Sequence, residues 1–423
     1  MTVPPDSPPQ RPHRRHRVVS QAAIVAAAMA VGNVLSYLLS VTASRRLGPD
    51  QFGALGALLG LIVVGYVVAL ALQMVTTRRL ATGEEMHPGS LTRTALLASW
   101  GLGALGLVLS VPLARFLHLD GVLPLLLVAA TFVPMTWSGF VQGLALGRER
   151  FALVGLAVSL FSVGKVGGGL VGLALTSTVD GVMWGTAIGT WLGVGAATWS
   201  TRSLITGPSR GGQGDVSREV GHVGHALLAM FVLTNVDVVL ARHFLTARDA
   251  GLYAAGAIVT KITFWLPQFI TVVALPRFAD IRRRRSAMTT SVTATAAVGL
   301  VSTVGAAVAG TAVVLVIAGP AYESLASFVW LFAAEGAVFA LAQLLLYARL
   351  SREDRTAVLA VWTAVLALVG GVSVVAHGSP EAIVVTALAS ATGLTGVGLL
   401  GWTREHRRTH PSPGHGPGVN AEL

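Results

Sequence analysis

Cysteine is absent from this chain of 423 residues, and charged residues are scarce. Without cysteine there is no disulfide, no thiolate nucleophile and no Cys-ligated metal. Charged residues make up 12% of the chain, about half of the roughly 25% that is typical of a soluble domain. Residues with hydrophobic side chains reach 53%, an excess that a water-soluble protein of this length cannot bury. The composition therefore requires lipid as the solvent.

The net charge of +11 does not indicate a nucleic-acid partner. The basic residues occur in short runs between apolar stretches, which is the distribution found in membrane proteins. The run RPHRRHR at 11–17 flanks the first apolar stretch, where basic residues help to orient a first span. We therefore expect a membrane protein that binds no nucleic acid.

Apolar stretches of roughly 20 residues, the length of a transmembrane helix, recur along the chain with short polar breaks. The first stretch is too long for the apolar core of a signal peptide, which has about 7–15 residues. The pattern predicts an all-α, polytopic integral membrane protein of about twelve transmembrane helices. The predicted spans are 18–43, 54–77, 94–114, 122–146, 151–175, 179–199, 220–244, 251–276, 288–318, 322–348, 356–376 and 380–402.

Arginine distribution sets the orientation of these spans. With the N-terminus inside, the inner segments hold about 23 arginines and the outer loops hold five. Arginine is enriched on the cytoplasmic side of membrane proteins, and a shift by one span would invert this bias. We therefore expect a multi-pass protein of the inner (plasma) membrane with both termini in the cytoplasm.

A polar segment at 200–219 divides the predicted spans into two groups of six. An offset of 198 residues pairs Gly53 with Gly251 and Arg79 with Arg277, which indicates an internal repeat. We predict two pseudo-symmetric six-helix bundles related by an axis along the membrane normal. The resulting organisation is a disordered cytoplasmic tail (1–17), an N-terminal bundle (18–199), a cytoplasmic linker (200–219), a C-terminal bundle (220–402) and a second disordered tail (403–423).

Enzymatic motifs are missing from the sequence. The outer loops are too short to carry a catalytic domain, and no nucleotide-binding motif is present. The glycines Gly164, Gly168 and Gly172 have small-xxx-small spacing, which favours helix packing. His222 and His225 have a spacing that suits a metal, but no carboxylate shares their face, which favours interfacial histidines. We expect no enzyme activity, catalytic residue, cofactor or metal.

Two stretches carry a family resemblance: SRRLGPDQFGALGAL at 44–58, and the segment 235–279 with Asn235–Asp237, Gly251–Tyr253 and Pro276–Arg277. Together with the twelve spans, they resemble the polysaccharide (lipid-linked oligosaccharide) flippases of the multidrug/oligosaccharidyl-lipid/polysaccharide (MOP) superfamily. The resemblance implies a MATE-like fold with two bundles around a central cavity that works by alternating access. Peptidoglycan-precursor flippases of that superfamily usually carry two further spans, which are not found here.

The resemblance also implies a function. The protein would move a polyprenyl-diphosphate-linked oligosaccharide across the membrane during the synthesis of a cell-envelope polysaccharide such as lipopolysaccharide. Its partners would be the lipid-linked glycan, membrane lipid and glycan-assembly proteins. The alternatives are a multidrug or small-cation antiporter of the same fold, and a scaffold without transport activity.

Polar side chains inside spans are expensive and normally face a cavity or a partner. The substrate cavity is predicted to contain Lys165, Lys261, Asp237, Asn235, Glu335 and Asn33. The two lysines would bind a diphosphate, and the two acids would serve the antiporter alternative. Asp237 and Lys261 are also open to interpretation as a structural ion pair.

Two prolines fall inside predicted spans, Pro134 and Pro267. Each removes a backbone hydrogen bond and favours a kink. Bent helices of this kind are candidate gating elements.

Overall fold

The computed structural model describes residues 12–82, 88–205, 216–267, 284–350 and 355–409. Within these ranges the chain forms helices joined by turns, with no strand. The helices are α1 (Pro12–Ala81), α2 (Pro88–Phe116), α3 (Leu123–Gly147), α4 (Phe151–Thr176), α5 (Val179–Ser200), α6 (Arg202–Ile205), α7 (Val216–Leu233), α8 (Val236–Phe244), α9 (Ala247–Trp265), α10 (Arg284–Val308), α11 (Gly310–Ile317), a 3₁₀ segment (Pro320–Ser327), α12 (Val329–Leu350), α13 (Arg355–Val374) and α14 (Pro380–Thr409).

Eight of the described helices are long and apolar enough to cross a bilayer. The pair α7 and α8, bent by 47°, is a ninth candidate. Each predicted span overlaps a described helix at least in part. The prediction of an all-α polytopic membrane protein is confirmed.

The connection at 44–53 between the first two predicted spans is helical on both sides of a single break at Gly48. Its position on the outer side stays a prediction. Gly48 has φ 70° and ψ 171°, a conformation that glycine adopts without a steric penalty. Pro49 follows, and its fixed φ suits the first turn of a helix. The first two predicted spans are therefore two arms of α1, residues 12–47 and 49–81.

Helix boundaries differ from the predictions at other places as well. The span 220–244 is broken at Asn235, and the span 288–318 is broken between α10 and α11. Helix α1 begins at Pro12 and α14 continues to Thr409, so helix extends into both predicted tails. The remainder of those tails, 1–11 and 410–423, lies outside the described residues.

The chain forms two compact units. The first consists of Met1–Ile258, Thr311–Ser327 and His377–Pro380, and the second of Val259–Gly310, Phe328–Ala376 and Glu381–Leu423. The predicted six-plus-six division at 200–219 stays a prediction.

Glycines on α4 and α5 bring the backbones of these two helices into contact in the first unit. A Cβ atom on Gly168 would lie 2.1 Å from the carbonyl oxygen of Gly185, and a Cβ atom on Gly185 would lie 2.0 Å from that of Gly168. The same contact recurs one turn away in each direction, between Gly164 and Gly189 and between Gly172 and Gly181. The predicted packing role of the three glycines in α4 is confirmed.

Repeat-related glycines meet at the end of the first unit that is predicted to face outside. A Cβ atom on Gly53 would lie 2.8 Å from the backbone nitrogen of Gly251. A Cβ atom on Gly251 would lie 1.9 Å from the carbonyl oxygen of Pro49. Only glycine permits this crossing of the second arm of α1 with α9.

Further contacts at the same end fix the bend of α1. Tyr322, which is fully buried, donates a 3.1 Å hydrogen bond to the carbonyl oxygen of Ser44 and packs edge-on against Phe52. Burial raises the pKa of Tyr322, and the Asp50 carboxylate raises it further, so the neutral donor form is favoured. Arg45 donates a 3.0 Å hydrogen bond to the carbonyl oxygen of Leu315.

Carbonyl groups at the end of α2 and in the turn after it lie within hydrogen-bonding distance of Arg242 and His243 of α8. The Arg242 guanidinium donates to the carbonyl oxygens of Leu117 (3.0 Å) and His118 (3.1 Å). His243 Nδ1 lies 2.7 Å from the carbonyl oxygen of Phe116, and its ring stacks on the Phe116 ring at 3.9 Å. Side chains of α8 thereby satisfy backbone groups that the end of α2 leaves open.

Candidate functional site

Lys165 lies on α4 above an aromatic pair. Its Nζ atom is 5.4 Å from the centroid of the Phe161 ring, one helical turn away. The Tyr66 ring, from the second arm of α1, stacks on Phe161 at 5.8 Å with an interplanar angle of 7°. Within the described part of the chain, no carboxylate lies within ion-pair distance of Lys165. The result is a half-buried cation supported by π faces.

Asn33 lies on a helix that packs beside this cation. A Cβ atom on Gly32 would lie 2.6 Å from Oγ of Ser162, so the first arm of α1 touches α4 at this level. About two turns further along both helices, Gly169 lies against Leu39, so the two helices run in the same direction. The helical turn of α1 that contains Asn33 therefore lies close to the helical turn of α4 that precedes Lys165.

Asp237 is buried in the first turn of α8, at 3% exposure. The hydroxyl of Tyr253, also fully buried, donates a 2.8 Å hydrogen bond to Oδ2 of Asp237. The sequence interpretation considered Lys261 as the partner of Asp237 and missed Tyr253. Tyr253 lies inside the segment that carries the family resemblance, which was the available signal. Because Lys261 belongs to the second unit, its pairing with Asp237 stays a prediction.

Asn235 occupies the break between α7 and α8 and is 2% exposed. Its amide nitrogen donates to the carbonyl oxygen of Phe231 (2.9 Å) and to Oγ1 of Thr234 (3.1 Å). The amide therefore satisfies a carbonyl that the broken helix leaves open. Its Oδ1 atom is buried without a hydrogen-bond donor among the described residues, and remains available as an acceptor.

Glu335 is fully buried in α12 of the second unit. Thr260 donates a 3.0 Å hydrogen bond to its Oε2 atom. The helices touch here, since a Cβ atom on Gly336 would lie 2.2 Å from the carbonyl oxygen of Thr260. Lys261 follows Thr260 directly in α9. The helical turn that contains Lys261 therefore lies at the contact between α9 and α12, where Glu335 is also found. Thr260, a residue without a charge or motif, was missed by the sequence interpretation.

The predicted site residues fall into two groups. Lys165, Asn33, Asn235 and Asp237 belong to the first unit, and Lys261 and Glu335 to the second. A single cavity lined by all six stays a prediction.

The two prolines occupy different settings. Pro134 is buried in the middle of α3, which continues through it. Pro267 lies in the turn after α9, which ends at Trp265. Residues 268–283 lie outside the described residues, so a kink at Pro267 stays a prediction. Proline has no N–H and favours a helix end at or before the preceding residue, which accounts for this boundary. Their role in gating stays a prediction.

Solved structures with the same architecture are known, although no protein-family model and no curated protein matches the sequence. One is an inward-facing conformation of a multidrug resistance MATE family transporter of the MOP superfamily. It has a TM-score of 0.67 and 12% identity, and the match covers 88% of this chain and 94% of that chain. Another is the lipid II flippase MurJ in an inward closed conformation, with a TM-score of 0.70, 10% identity, and coverage of 90% and 87%.

A third is MATE in the bent conformation, with a TM-score of 0.62, 11% identity, and coverage of 92% of this chain and 96% of that chain. Each match spans nearly the whole of both chains, so the likeness extends beyond a shared pair of helices. This chain therefore shares the fold of these solved transporter structures.

Proposed function

We propose that this chain is an inner-membrane flippase that moves a polyprenyl-diphosphate-linked oligosaccharide by alternating access. The observation that carries the proposal is the state of Lys165. It is a half-buried cation inside a span, with an aromatic support and no described carboxylate in range. A charge at this position is expensive, which is explained if its partner is an anionic ligand.

The neighbours of Lys165 suit the rest of such a substrate. The half-buried Tyr66 offers a ring edge to a sugar, and the Phe161 face holds the lysine. Asn33, one helix away, adds an amide with two donors and an acceptor. The diphosphate would bind the Lys165 ammonium as a charge-assisted partner. We also propose that proteins that assemble the glycan are partners of this chain.

The second candidate, a multidrug or small-cation antiporter, is favoured by the two buried carboxylates. Asp237 and Glu335 each accept a hydrogen bond from a neutral hydroxyl, of Tyr253 and Thr260 respectively. Buried carboxylates in such settings exchange protons or bind cations readily. In that case the carboxylates, and not Lys165, would control transport.

The test is a substitution series in cells and in reconstituted vesicles. Lys165→Met should abolish flipping of a fluorescent lipid-diphosphate glycan, and Lys165→Arg should retain part of it, because the cation survives in altered geometry. Cells with Lys165→Met should accumulate the lipid-linked precursor and lose the surface glycan. Arg150→Gln, which removes an exposed arginine just before α4, is the matched control and should behave as the wild type.

The competing outcome is well defined. Normal glycan in Lys165→Met cells, together with dye sensitivity in Asp237→Asn or Glu335→Gln cells, would establish the antiporter. An unaltered glycan and unaltered dye resistance in all three variants would reject both proposals.

A further inference from the structure

Gln142 is a buried amide on α3, at the contact with the second arm of α1, and is 2% exposed. A Cβ atom on Gly139 would overlap the carbonyl oxygen of Ala69. One turn further along α3, a Cβ atom on Gly143 would lie 2.9 Å from the carbonyl oxygen of Gln73. The two helices therefore touch at backbone distance on both sides of Gln142. A polar side chain at such a place is costly unless it has a partner.

The partner of Gln142 is Tyr66, to which its side chain is hydrogen-bonded. The backbone of Tyr66 is also held, because a Cβ atom on the preceding Gly65 would overlap the Phe132 ring of α3. The hydrogen bond holds the hydroxyl end of the Tyr66 side chain, and the helix contact holds its other end. Packing and a hydrogen bond together restrict a side chain to few rotamers, so the Tyr66 ring is kept in one orientation.

The Tyr66 ring connects Gln142 to the Lys165 site. It stacks on the Phe161 ring at 5.8 Å, and Nζ of Lys165 lies 5.4 Å from the centroid of that same ring. Tyr66 and Lys165 are both half-buried, whereas Gln142 is enclosed. A ligand can therefore touch Tyr66 and Lys165 but cannot reach Gln142. The effect of Gln142 on such a ligand is transmitted by Tyr66.

We propose that Gln142 is a positioning residue that makes the Lys165 site selective for a glycosylated lipid diphosphate over the bare carrier. This inference rests on the proposed function. Lys165 binds the diphosphate whether or not a sugar is attached. The Tyr66 ring, held by Gln142, adds an aromatic surface for the first sugar, which the bare carrier lacks. Loss of the amide thus reduces the discrimination between the two lipids and leaves the diphosphate contact in place.

The experiment measures binding of two radiolabelled probes by the purified full-length chain in phosphatidylcholine nanodiscs. The probes are undecaprenyl diphosphate and undecaprenyl diphosphate that carries one N-acetylglucosamine. The wild type should bind the glycosylated probe more tightly. In Gln142→Met, which keeps the length of the side chain, this preference should fall by about three- to tenfold, the factor for one lost hydrogen bond. Affinity for undecaprenyl diphosphate should be unchanged.

Three further variants separate positioning from a purely structural role. Tyr66→Phe keeps the ring and loses the hydroxyl, so it should reduce the preference as Gln142→Met does, and the double variant should reduce it no further. Thr131→Val removes another buried polar group of α3, whose hydroxyl donates to the carbonyl oxygen of Leu127 in the same helix, and should keep the wild-type preference. Lys165→Met should weaken binding of both probes.

The outcomes distinguish this inference from the proposed function. Wild-type affinity of Lys165→Met for both probes, or no binding by the wild type, would refute the proposed function and the role of Gln142 with it. If Lys165→Met weakens both, an unchanged preference in Gln142→Met and Tyr66→Phe overturns the role of Gln142 alone, as does equal affinity of the wild type for the two probes. An equal loss in Thr131→Val overturns it as well, because any change in the packing of α3 would then suffice. Tyr66→Phe decides the question if Gln142→Met does not fold.

Discussion

Substitution of Gly185 by alanine tests the contact between α4 and α5 quantitatively. The new Cβ atom would lie 2.0 Å from the Gly168 carbonyl oxygen, which is 1.0 Å inside the 3.0 Å limit below which Cβ contacts essentially do not occur. The two helices must therefore separate by about 1 Å over a surface held by van der Waals contact. Overpacking of this kind costs about 1–3 kcal/mol.

Alanine also has a higher helix propensity than glycine, by about 1 kcal/mol. The matched control is Gly195→Ala on the same helix, where the new Cβ atom would have no heavy atom within 4 Å. Gly195→Ala therefore gains the same helix propensity as Gly185→Ala but creates no steric overlap with another helix. We therefore expect Gly185→Ala to be less stable than Gly195→Ala by about 1–3 kcal/mol, the overpacking cost alone. The assay is equilibrium unfolding of both purified variants in mixed micelles.

A double substitution sharpens the test. Once Gly185→Ala has moved the helices apart, Gly168→Ala meets a gap that is already open. The cost of the pair should thus fall short of the sum of the single costs, as expected for residues in contact. The control pair Gly167→Ala and Gly195→Ala, at positions without a neighbouring helix atom in close range, should be additive. Equal stability of Gly185→Ala and Gly195→Ala, or additivity of the contact pair, would refute the backbone contact.

Two further predictions concern the ends of the first unit. Arg79→Gln should lower the free energy of unfolding by about 1.5–3 kcal/mol, because the buried Glu219 contact is charge-assisted. Arg78→Gln, whose side chain is 65% exposed, should cost less than about 1 kcal/mol, and equal losses in the same unfolding assay would contradict this ranking. Gly251→Leu should separate α9 from the Pro49 turn. Because the chain has no cysteine, a single cysteine can be introduced at the neighbouring turn, which is predicted to face outside. Thiol labelling of this cysteine should increase in the Gly251→Leu variant. Unchanged labelling in a folded Gly251→Leu protein would show that the crossing does not seal that end.

The sequence by itself determined that this chain is a bundle of membrane helices. In lipid every backbone polar group needs an internal partner, so long apolar stretches must be helical. The spacing of Gly164, Gly168 and Gly172 placed three small residues on one face, which was enough to predict close helix packing. The cationic and acidic residues inside the spans could also be identified from the sequence as candidate site residues, because a charge in an apolar span is costly.

The tertiary structure decided which residues meet. Asp237 accepts a hydrogen bond from Tyr253, and Glu335 accepts one from Thr260, 75 positions away. Such pairings depend on the rotation of each helix about its axis and on its neighbours, and an apolar sequence with weak periodicity fixes neither. The bend at Gly48 was hidden for a similar reason, because glycine is also common within membrane helices and only the packing around it selects a positive φ.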